Sequence, residues 1–353
     1  MNVGRTQTKL LILTAVGMTV TAITADAITH TVPIDPKVAA LVKKAASAFE
    51  LKQYDLAIRT YNEALQMKPE TSTAAAIYSW RAGAYGKQGE FGKGLSDARE
   101  AIRLNPKYFN GYNERGIIYR RTGNLDQAIS SFDTAIHLNP NFARAYNNRG
   151  NAYGDKGDYN QAIRDYNEAI RRQDRTMQSD FYLNRAGTYQ ELGALDKASA
   201  DCDQAIRINP TDGRGYIQRG NVRSAKADYR GAASEFEKAT RLSPKDFYVL
   251  ANFGWFQATC PEDSLRNGKQ ALEKSKRACE LTHWQDYHPV DNVAAAWAEI
   301  GDFDNAIKYE TQALNLKGIN ATTRKAMQER LELYRQHKPY RQSKLKPGQQ
   351  GER

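Results

Sequence analysis

The chain has 353 residues, of which 41% are hydrophobic and 26% are charged, and its formal net charge is +11. This composition can bury a core beneath a charged surface, which excludes a mostly disordered chain, and the length allows two ordinary domains or one repeat array. Residues 324–353 hold nine Lys or Arg and three Glu, a net of +6. The basic excess is therefore mostly C-terminal, which argues against a groove charged throughout for nucleic acid.

The N-terminal segment has the pattern of a secretory signal peptide. Arg5 and Lys9 precede an apolar to weakly polar run, Leu10 to Thr24, and Ala25-Asp26-Ala27 fits a cleavage site. Residues 1–27 are therefore expected to be a signal peptide and residues 28–36 a linker, giving a periplasmic or extracellular protein. An uncleaved anchor is the alternative. After cleavage no apolar run is long enough for an integral membrane span.

A repeat of about 34 residues organises the middle of the chain. Pro106 and Pro140 are 34 residues apart, and so are Pro210 and Pro244. Tyr and Ala are plentiful, which favours helices over strands. A fixed period of this length predicts stacked helical hairpins.

Each unit repeats the same small and aromatic positions. The first helix, helix A, carries a small residue such as Gly116 or Gly150, and the second, helix B, opens with an Ala. In most units an aromatic residue, here called the knob, follows four residues later, and another Ala three after that. These spacings put the three side chains on one face of helix B. The turn between the helices reads Gly, any residue, Leu, Tyr or Phe, then Asp or Asn, as in "GNLDQA" and "GDYNQA".

These residues resemble the tetratricopeptide repeat (TPR) family. The resemblance implies an all-α fold, a right-handed α-solenoid of about eight helical hairpins over residues 37–318, and a capping helix over residues 319–338. The second unit is irregular, with Gly94 and Ala98 at the first Ala and knob positions, and the seventh has a longer loop after Cys260. Residues 339–353 are expected to form a basic, disordered tail.

An arginine recurs at the seventh position of five units, and the residue sixteen positions later is acidic in four of them. Helices A and B run antiparallel, so these two positions are level across one hairpin. The pattern predicts partly buried ion pairs that hold the fold, with a ligand-binding role for the arginines as the alternative. The predicted pairs are Arg81 with Asp97, Arg149 with Asp165, Arg185 with Asp201, and Arg219 with Glu235.

Amide side chains recur one position earlier. In TPR proteins, helix A positions 2, 5, 6, 9 and 12 tend to face the concave groove. Amides can donate and accept hydrogen bonds at once, which suits the backbone of an extended peptide. The arrangement resembles the asparagine ladder of the TPR arm in O-GlcNAc transferases, with ordinary solvated polar residues as the alternative. The candidate groove residues are Asn147, Asn148, Asn151, Asn184, Arg214, Gln218, Asn221 and Asn252.

A second comparison is with TPR co-chaperones that clamp a peptide carboxylate between Lys, Asn and Arg side chains. Asn151, Asn184 and Arg214 lie at matching places, whereas Asn147 and Gln218 replace two of the cations. The charge needed to hold a carboxylate is mostly missing, which disfavours a clamp.

No catalytic motif, metal site or cofactor site stands out. Cys279, His283 and His288 are metal-ligand types, but their spacing lacks a paired CxxC. Cys260 and Cys279 would lie too far apart along the hairpin for a disulfide, and Cys202 occupies a knob position. The sequence therefore predicts a non-catalytic module that binds a protein or an extended peptide. An envelope scaffold acting through its convex face or basic tail, and an accessory subunit of an enzyme complex, are the alternatives.

Overall fold

A computed structural model describes residues 35–172, 178–319 and 321–342 of the chain. Within these ranges the protein is all-α, built from seventeen helices and one short 3₁₀ turn. The predicted signal peptide and most of the predicted linker lie outside the described residues, as does the end of the basic tail. In the described part, no helix is both long enough and apolar enough to cross a membrane.

In the part of the chain that the structure describes, the helices pair in chain order into eight antiparallel hairpins, followed by a single last helix. The described chain divides between Pro140 and Asn141 into two compact units. The first unit holds hairpins 1–3, and the second holds hairpins 4–8 and the last helix. The helices are α1 (Pro36–Glu50), α2 (Tyr54–Gln66), α3 (Thr71–Gln88), α4 (Phe91–Leu104), α5 (Phe109–Arg121), α6 (Leu125–Leu138), α7 (Ala143–Lys156), α8 (Tyr159–Arg172), α9 (Gln178–Glu191), α10 (Leu195–Ile208), α11 (Gly213–Ala225), α12 (Tyr229–Leu242), α13 (Phe247–Thr259), α14 (Gly268–Leu281), α15 (Tyr287–Ile300), α16 (Phe303–Leu314) and α17 (Ala321–Arg335).

The knobs of helix B fit against the small residues of helix A, as the repeat pattern predicts. A Cβ added to Gly116 would lie 2.6 Å from the Phe132 ring, and one added to Gly150 would lie 2.9 Å from the Tyr166 ring. Both aromatic rings are buried. A larger residue at either glycine would push the two helices apart, so the glycines set the close packing of the hairpin.

The turn inside most hairpins needs a left-handed residue, and glycine supplies it at Gly89, Gly123, Gly157, Gly193 and Gly301. Hairpins 1 and 6 use other residues. Lys52 has φ 59° and Ala227 has φ 62° in the equivalent turns. Backbone strain at these two turns is therefore tolerated by the packing of the hairpins.

The irregular units are completed by residues that the repeat pattern does not include. In hairpin 2, a Cβ added to Gly94 would lie 2.7 Å from Ile118, a fully buried side chain of α5 in the next hairpin. In hairpin 7 the knob is Ser275, which faces Gly254. In hairpin 2, a side chain of the next hairpin thus packs against the glycine. In hairpin 7, the small Ser275 side chain packs directly against Gly254.

The C-terminal region differs from the sequence prediction in two respects. The capping helix was expected over residues 319–338 and is observed as Ala321–Arg335. Residues 339–342, expected to begin a disordered tail, are instead packed: the Tyr340 ring lies 5.7 Å from the ring of Trp255 on α13. The aromatic side chain gives this part of the tail something to bury, which corrects the predicted boundary.

Candidate functional site

A row of amide side chains connects the A helices of hairpins 4–7, all within the second compact unit. Asn184 donates to the side-chain oxygen of Asn147 at 2.9 Å, joining α9 to α7. Gln218 donates to Gln190 at 3.1 Å, joining α11 to α9. Asn221 donates to Asn252 at 3.3 Å, joining α11 to α13. We call these residues, with Asn148 and Asn151, the amide row.

Most of the amide row is half-buried, with its members at the face that consecutive A helices share. Asn151 accepts a hydrogen bond from the hydroxyl of Tyr166 at 2.8 Å, and Asn252 donates to the carbonyl of Tyr248 at 2.8 Å. Amides held at one end in this way keep a fixed orientation. An incoming peptide would therefore meet groups whose rotamer entropy is already reduced.

Two predicted groove residues have roles that differ from the prediction. Asn147 is only 8% exposed, so it supports Asn184 from beneath and does not offer itself to a ligand. Arg214 is exposed at the start of α11, where it forms ion pairs with Asp180 at 2.8 Å and Asp212 at 2.6 Å. Although burial alone would lower its pKa, these carboxylates raise the pKa of Arg214 overall. A peptide carboxylate would have to compete with both.

Gln190 belongs to the amide row, although the sequence analysis did not select it. It lies at position 12 of its unit, one of the positions that face the groove in TPR proteins. Its amide type and this position together were a sufficient signal. The predicted groove residues lie at positions 2, 5, 6 and 9, and position 12 was not among them.

The four predicted ion pairs are all present in the structure. Arg81 reaches Asp97 at 2.6 Å, Arg149 reaches Asp165 at 2.6 Å, Arg185 reaches Asp201 at 2.7 Å, and Arg219 reaches Glu235 at 3.0 Å. In the first three, two guanidinium nitrogens meet both carboxylate oxygens. The acidic partners are buried, so each arginine is needed to neutralise a charge inside its own hairpin.

Each of these arginines also makes contacts that the sixteen-residue spacing did not reveal. The guanidinium lies over the ring of the tyrosine three residues earlier, for example Arg185 at 5.3 Å from the Tyr182 ring centre. A third contact reaches the residue directly after the knob of the preceding hairpin. Arg81 donates to Asn62, Arg185 donates to Asn167, and Arg219 donates to Asp203. Arg81, Arg185 and Arg219 therefore join neighbouring hairpins as well as the two helices of one hairpin.

A second buried charged cluster lies where hairpin 8 meets α17. Arg330 donates to both carboxylate oxygens of Asp291, at 2.9 and 2.8 Å, and lies 3.5 Å from Glu310. Glu310 and Tyr334 are fully buried. Burial, reinforced by the charge of Asp291, raises the pKa of Glu310 well above its usual value, and Arg330 opposes the shift only partly. One arginine thus serves two carboxyl groups, one of which retains its proton more strongly.

The three cysteine thiols are free and buried. Burial raises the pKa of Cys202 and of Cys279 to about 12, and also raises that of Cys260. Thiols with pKa values this high carry little thiolate at neutral pH, so they act as small core side chains. Within the described ranges, no group of three or more His, Cys, Asp or Glu could hold a metal ion.

Sequence profiles of known families match the repeat at several places. A profile described as "TPR repeat" matches residues 116–157. Profiles described as "Tetratricopeptide repeat" match residues 143–174, 98–130, 38–71 and 179–212. The matched segments fall in hairpins 1–5.

Curated relatives are similar over short segments. The DnaJ homolog subfamily C member 7 homolog of Dictyostelium discoideum is 28% identical over 139 residues, which is 39% of this chain and 22% of the relative. The Hsp70-Hsp90 organizing protein of Triticum aestivum is 38% identical over 85 residues, 24% of this chain and 14% of the relative. The chain thus spans about a fifth or less of the length of these two proteins.

Among solved structures, the APC/C hetero-tetramer Cut9-Hcn1 superposes with a TM-score of 0.59 at 18% sequence identity. The match covers 82% of this chain and 55% of the other. At this identity the likeness concerns the fold alone. The repeated hairpins, the matching profiles and this shared fold lead to one conclusion: the chain belongs to the tetratricopeptide repeat family.

Proposed function

We propose that this protein is a non-catalytic interaction scaffold that binds an extended peptide segment of a partner protein along the A helices of hairpins 4–7. The single observation that carries the proposal is the amide row, in which side chains of consecutive A helices hydrogen-bond across all three helix junctions. Amides in register along a face offer donors and acceptors at intervals to a peptide backbone. Recognition of this kind depends little on the side chains of the peptide.

A carboxylate clamp of the co-chaperone type is the less favoured form of this function. The wheat relative is named for organising Hsp70 and Hsp90. We therefore compare a peptide that has a free C-terminal carboxylate with the same peptide in amidated form. Arg214 already has two acidic partners, and Asn147 is buried where the clamp would need a cation. We therefore expect an amidated peptide to bind as well as the same peptide with a free C-terminus.

The test uses peptides selected on the wild-type protein from a random linear-peptide library. Replacing Asn148, Asn184, Gln218 and Asn252 together with Ala should weaken binding by at least about tenfold, because several neutral hydrogen bonds of about 1 kcal/mol each are lost. Circular dichroism checks that helicity is kept. A matched control replaces three exposed helix B residues, Asn160, Glu237 and Glu273, with Ala and should leave binding unchanged.

A second measurement separates backbone recognition from side-chain recognition. N-methylation of alternate backbone amides removes donors from the peptide without changing its side chains. If the amide row reads the backbone, the methylated peptide should bind much more weakly. Wild-type affinity of the quadruple variant, or no loss on N-methylation, would contradict the proposal.

We also propose that the protein acts outside the cytoplasm, in the periplasm or the extracellular space. The support is the charged, apolar and Ala-x-Ala pattern of residues 1–27. The N-terminal residue of the protein isolated from its native cells decides this, since cleavage at the proposed site leaves Ile28 first.

A further inference from the structure

The segment that follows α17 folds back over the A helices of hairpins 7 and 8. We call residues 338–342 the strap; it has no regular secondary structure. Three consecutive strap residues make three kinds of contact. Tyr340 packs its ring 5.7 Å from the Trp255 ring, Arg341 forms an ion pair with Glu299, and the backbone N–H of Gln342 donates to the carbonyl of Thr259 at 2.9 Å.

The surface beneath the strap is formed by groups that are held in place without it. We call Trp255, Thr259, Glu299 and Arg330 the strap site. Arg330 is fixed by its two bonds to Asp291, and its guanidinium lies 5.2 Å from the Trp255 ring centre and 5.7 Å from that of Tyr340. The site therefore offers an aromatic ring and a cation to an incoming aromatic side chain.

The acidic part of the strap site is also fixed independently. Glu299 accepts from Arg266 at 3.1 Å, and Arg266 belongs to the long loop of hairpin 7. With the strap in place the Glu299 side chain is 14% exposed, and its bond to Arg266 gives the carboxylate an orientation that does not depend on the strap. Glu299 can pair with a second cation in addition to Arg266. Arg341, which follows Tyr340 directly, is that second cation.

The strap is more exposed to solvent than the site beneath it. Lys338 is exposed, residues 339–342 are half-buried, and the Arg341 side chain is 32% exposed. Partly exposed ion pairs of this kind contribute little to stability. A segment with a comparable sequence could therefore displace the strap without disturbing the buried cluster around Arg330.

We propose that the strap site is a docking site for a partner segment in which an aromatic residue is followed directly by an arginine, and that the strap occupies this site in the unbound protein. The partner's aromatic ring takes the place of Tyr340, its guanidinium pairs with Glu299, and the next backbone N–H donates to Thr259. This site lies on hairpins 7 and 8, and its occupation does not depend on the amide row.

The experiment supplies the strap sequence in trans. A fluorescent synthetic peptide of residues 336–345 is titrated into the full chain and into a chain that ends at Lys338. The shortened chain should bind the peptide, and the full chain should bind it at least about tenfold more weakly, because a tethered segment competes at an effective concentration in the millimolar range. Absence of binding to a shortened chain that retains its helicity overturns the proposal, as does equal binding to both chains.

Variants test each contact separately. Peptides with Tyr340→Ala or with Arg341→Glu should lose binding to the shortened chain, and Glu299→Gln in the protein should lose the preference for arginine over glutamine in the peptide. If the shortened chain does not fold, the full-length variant Tyr340→Ala/Arg341→Ala replaces it and should bind the unmodified peptide. A concentration-dependent dimer of the full chain in analytical ultracentrifugation, lost with this double variant, would show that the occupant is the strap of a second copy and would overturn the assignment to a partner protein.

Discussion

At the scale of single residues, the recurring arginine is a structural element with three kinds of partner. Arg185 has a carboxylate in its own hairpin, an amide oxygen in the preceding hairpin and tyrosine rings on its own helix. Its side chain remains 17% exposed, so it is neither free to bind a ligand nor fully removed from water. The ligand contacts that we propose are the adjacent amide side chains instead.

Replacing Arg185 should therefore affect stability and spare binding. Arg185→Ala leaves Asp201 buried without its main partner, and we expect a loss of about 2–4 kcal/mol in the free energy of unfolding, measured by urea denaturation. Peptide affinity should change by less than about threefold.

A second variant separates the charge from the packing. Arg185→Met combined with Asp201→Leu removes both charges while keeping apolar volume, and it should recover part of the lost stability. A large loss of binding in Arg185→Ala with unchanged stability would contradict the structural role and favour the alternative of a ligand-binding arginine.

At the scale of elements, the attachment of α17 depends on a carboxyl group whose ionisation is suppressed. Glu310 on α16 faces Asp291 on α15 and Arg330 and Tyr334 on α17, and its pKa is raised mainly by burial. Above its usual pKa of about 4.5, an unfolded Glu310 loses its proton freely, whereas the folded one retains it. The contribution of this group to stability is thus lost as pH rises from about 4.5 towards its raised folded pKa.

The substitution Glu310→Gln removes this pH dependence. The free energy of unfolding of the variant minus that of the wild type should increase with pH between 5 and 8, by at most about 1.4 kcal/mol per pH unit. Urea denaturation at four pH values measures it. Glu332→Gln, at an exposed carboxyl of the same helix α17, is the matched control and should run parallel to the wild type. Parallel curves for Glu310→Gln would show that the folded protein ionises this group like an exposed one.

At the scale of the whole molecule, periodic features could be predicted from the sequence, and contacts outside the period could not. The 34-residue spacing, Gly116 and the acidic residue sixteen positions after four of the five arginines follow from the repeat, because most hairpins share the same geometry. The strap could not be predicted, since Tyr340 meets Trp255 through the fold and no spacing relates them. Asn167 was missed because its contact with Arg185 crosses from one hairpin to the next.

The amide row is limited to part of the chain. Position 6 carries Asn148, Asn184, Gln218 and Asn252 in hairpins 4–7, but Trp80 and Glu114 occupy it in hairpins 2 and 3. An indole and a carboxylate cannot offer the paired donor and acceptor of an amide. A peptide that is read by the amide row should therefore engage four consecutive A helices of the second compact unit and leave the first unit unbound.

Hydrogen exchange measured by mass spectrometry can locate this footprint. On adding a selected peptide, exchange should slow in α7, α9, α11 and α13, because ordering the shared face suppresses local opening of these helices. Their B-helix partners α8, α10 and α12 should change less, and α1–α6 should not change. The Asn148/Asn184/Gln218/Asn252→Ala variant is the control and should show no slowing at the same peptide concentration. Protection centred on α3 and α5, or on the B helices, would place the peptide on a different surface and would contradict binding by the amide row.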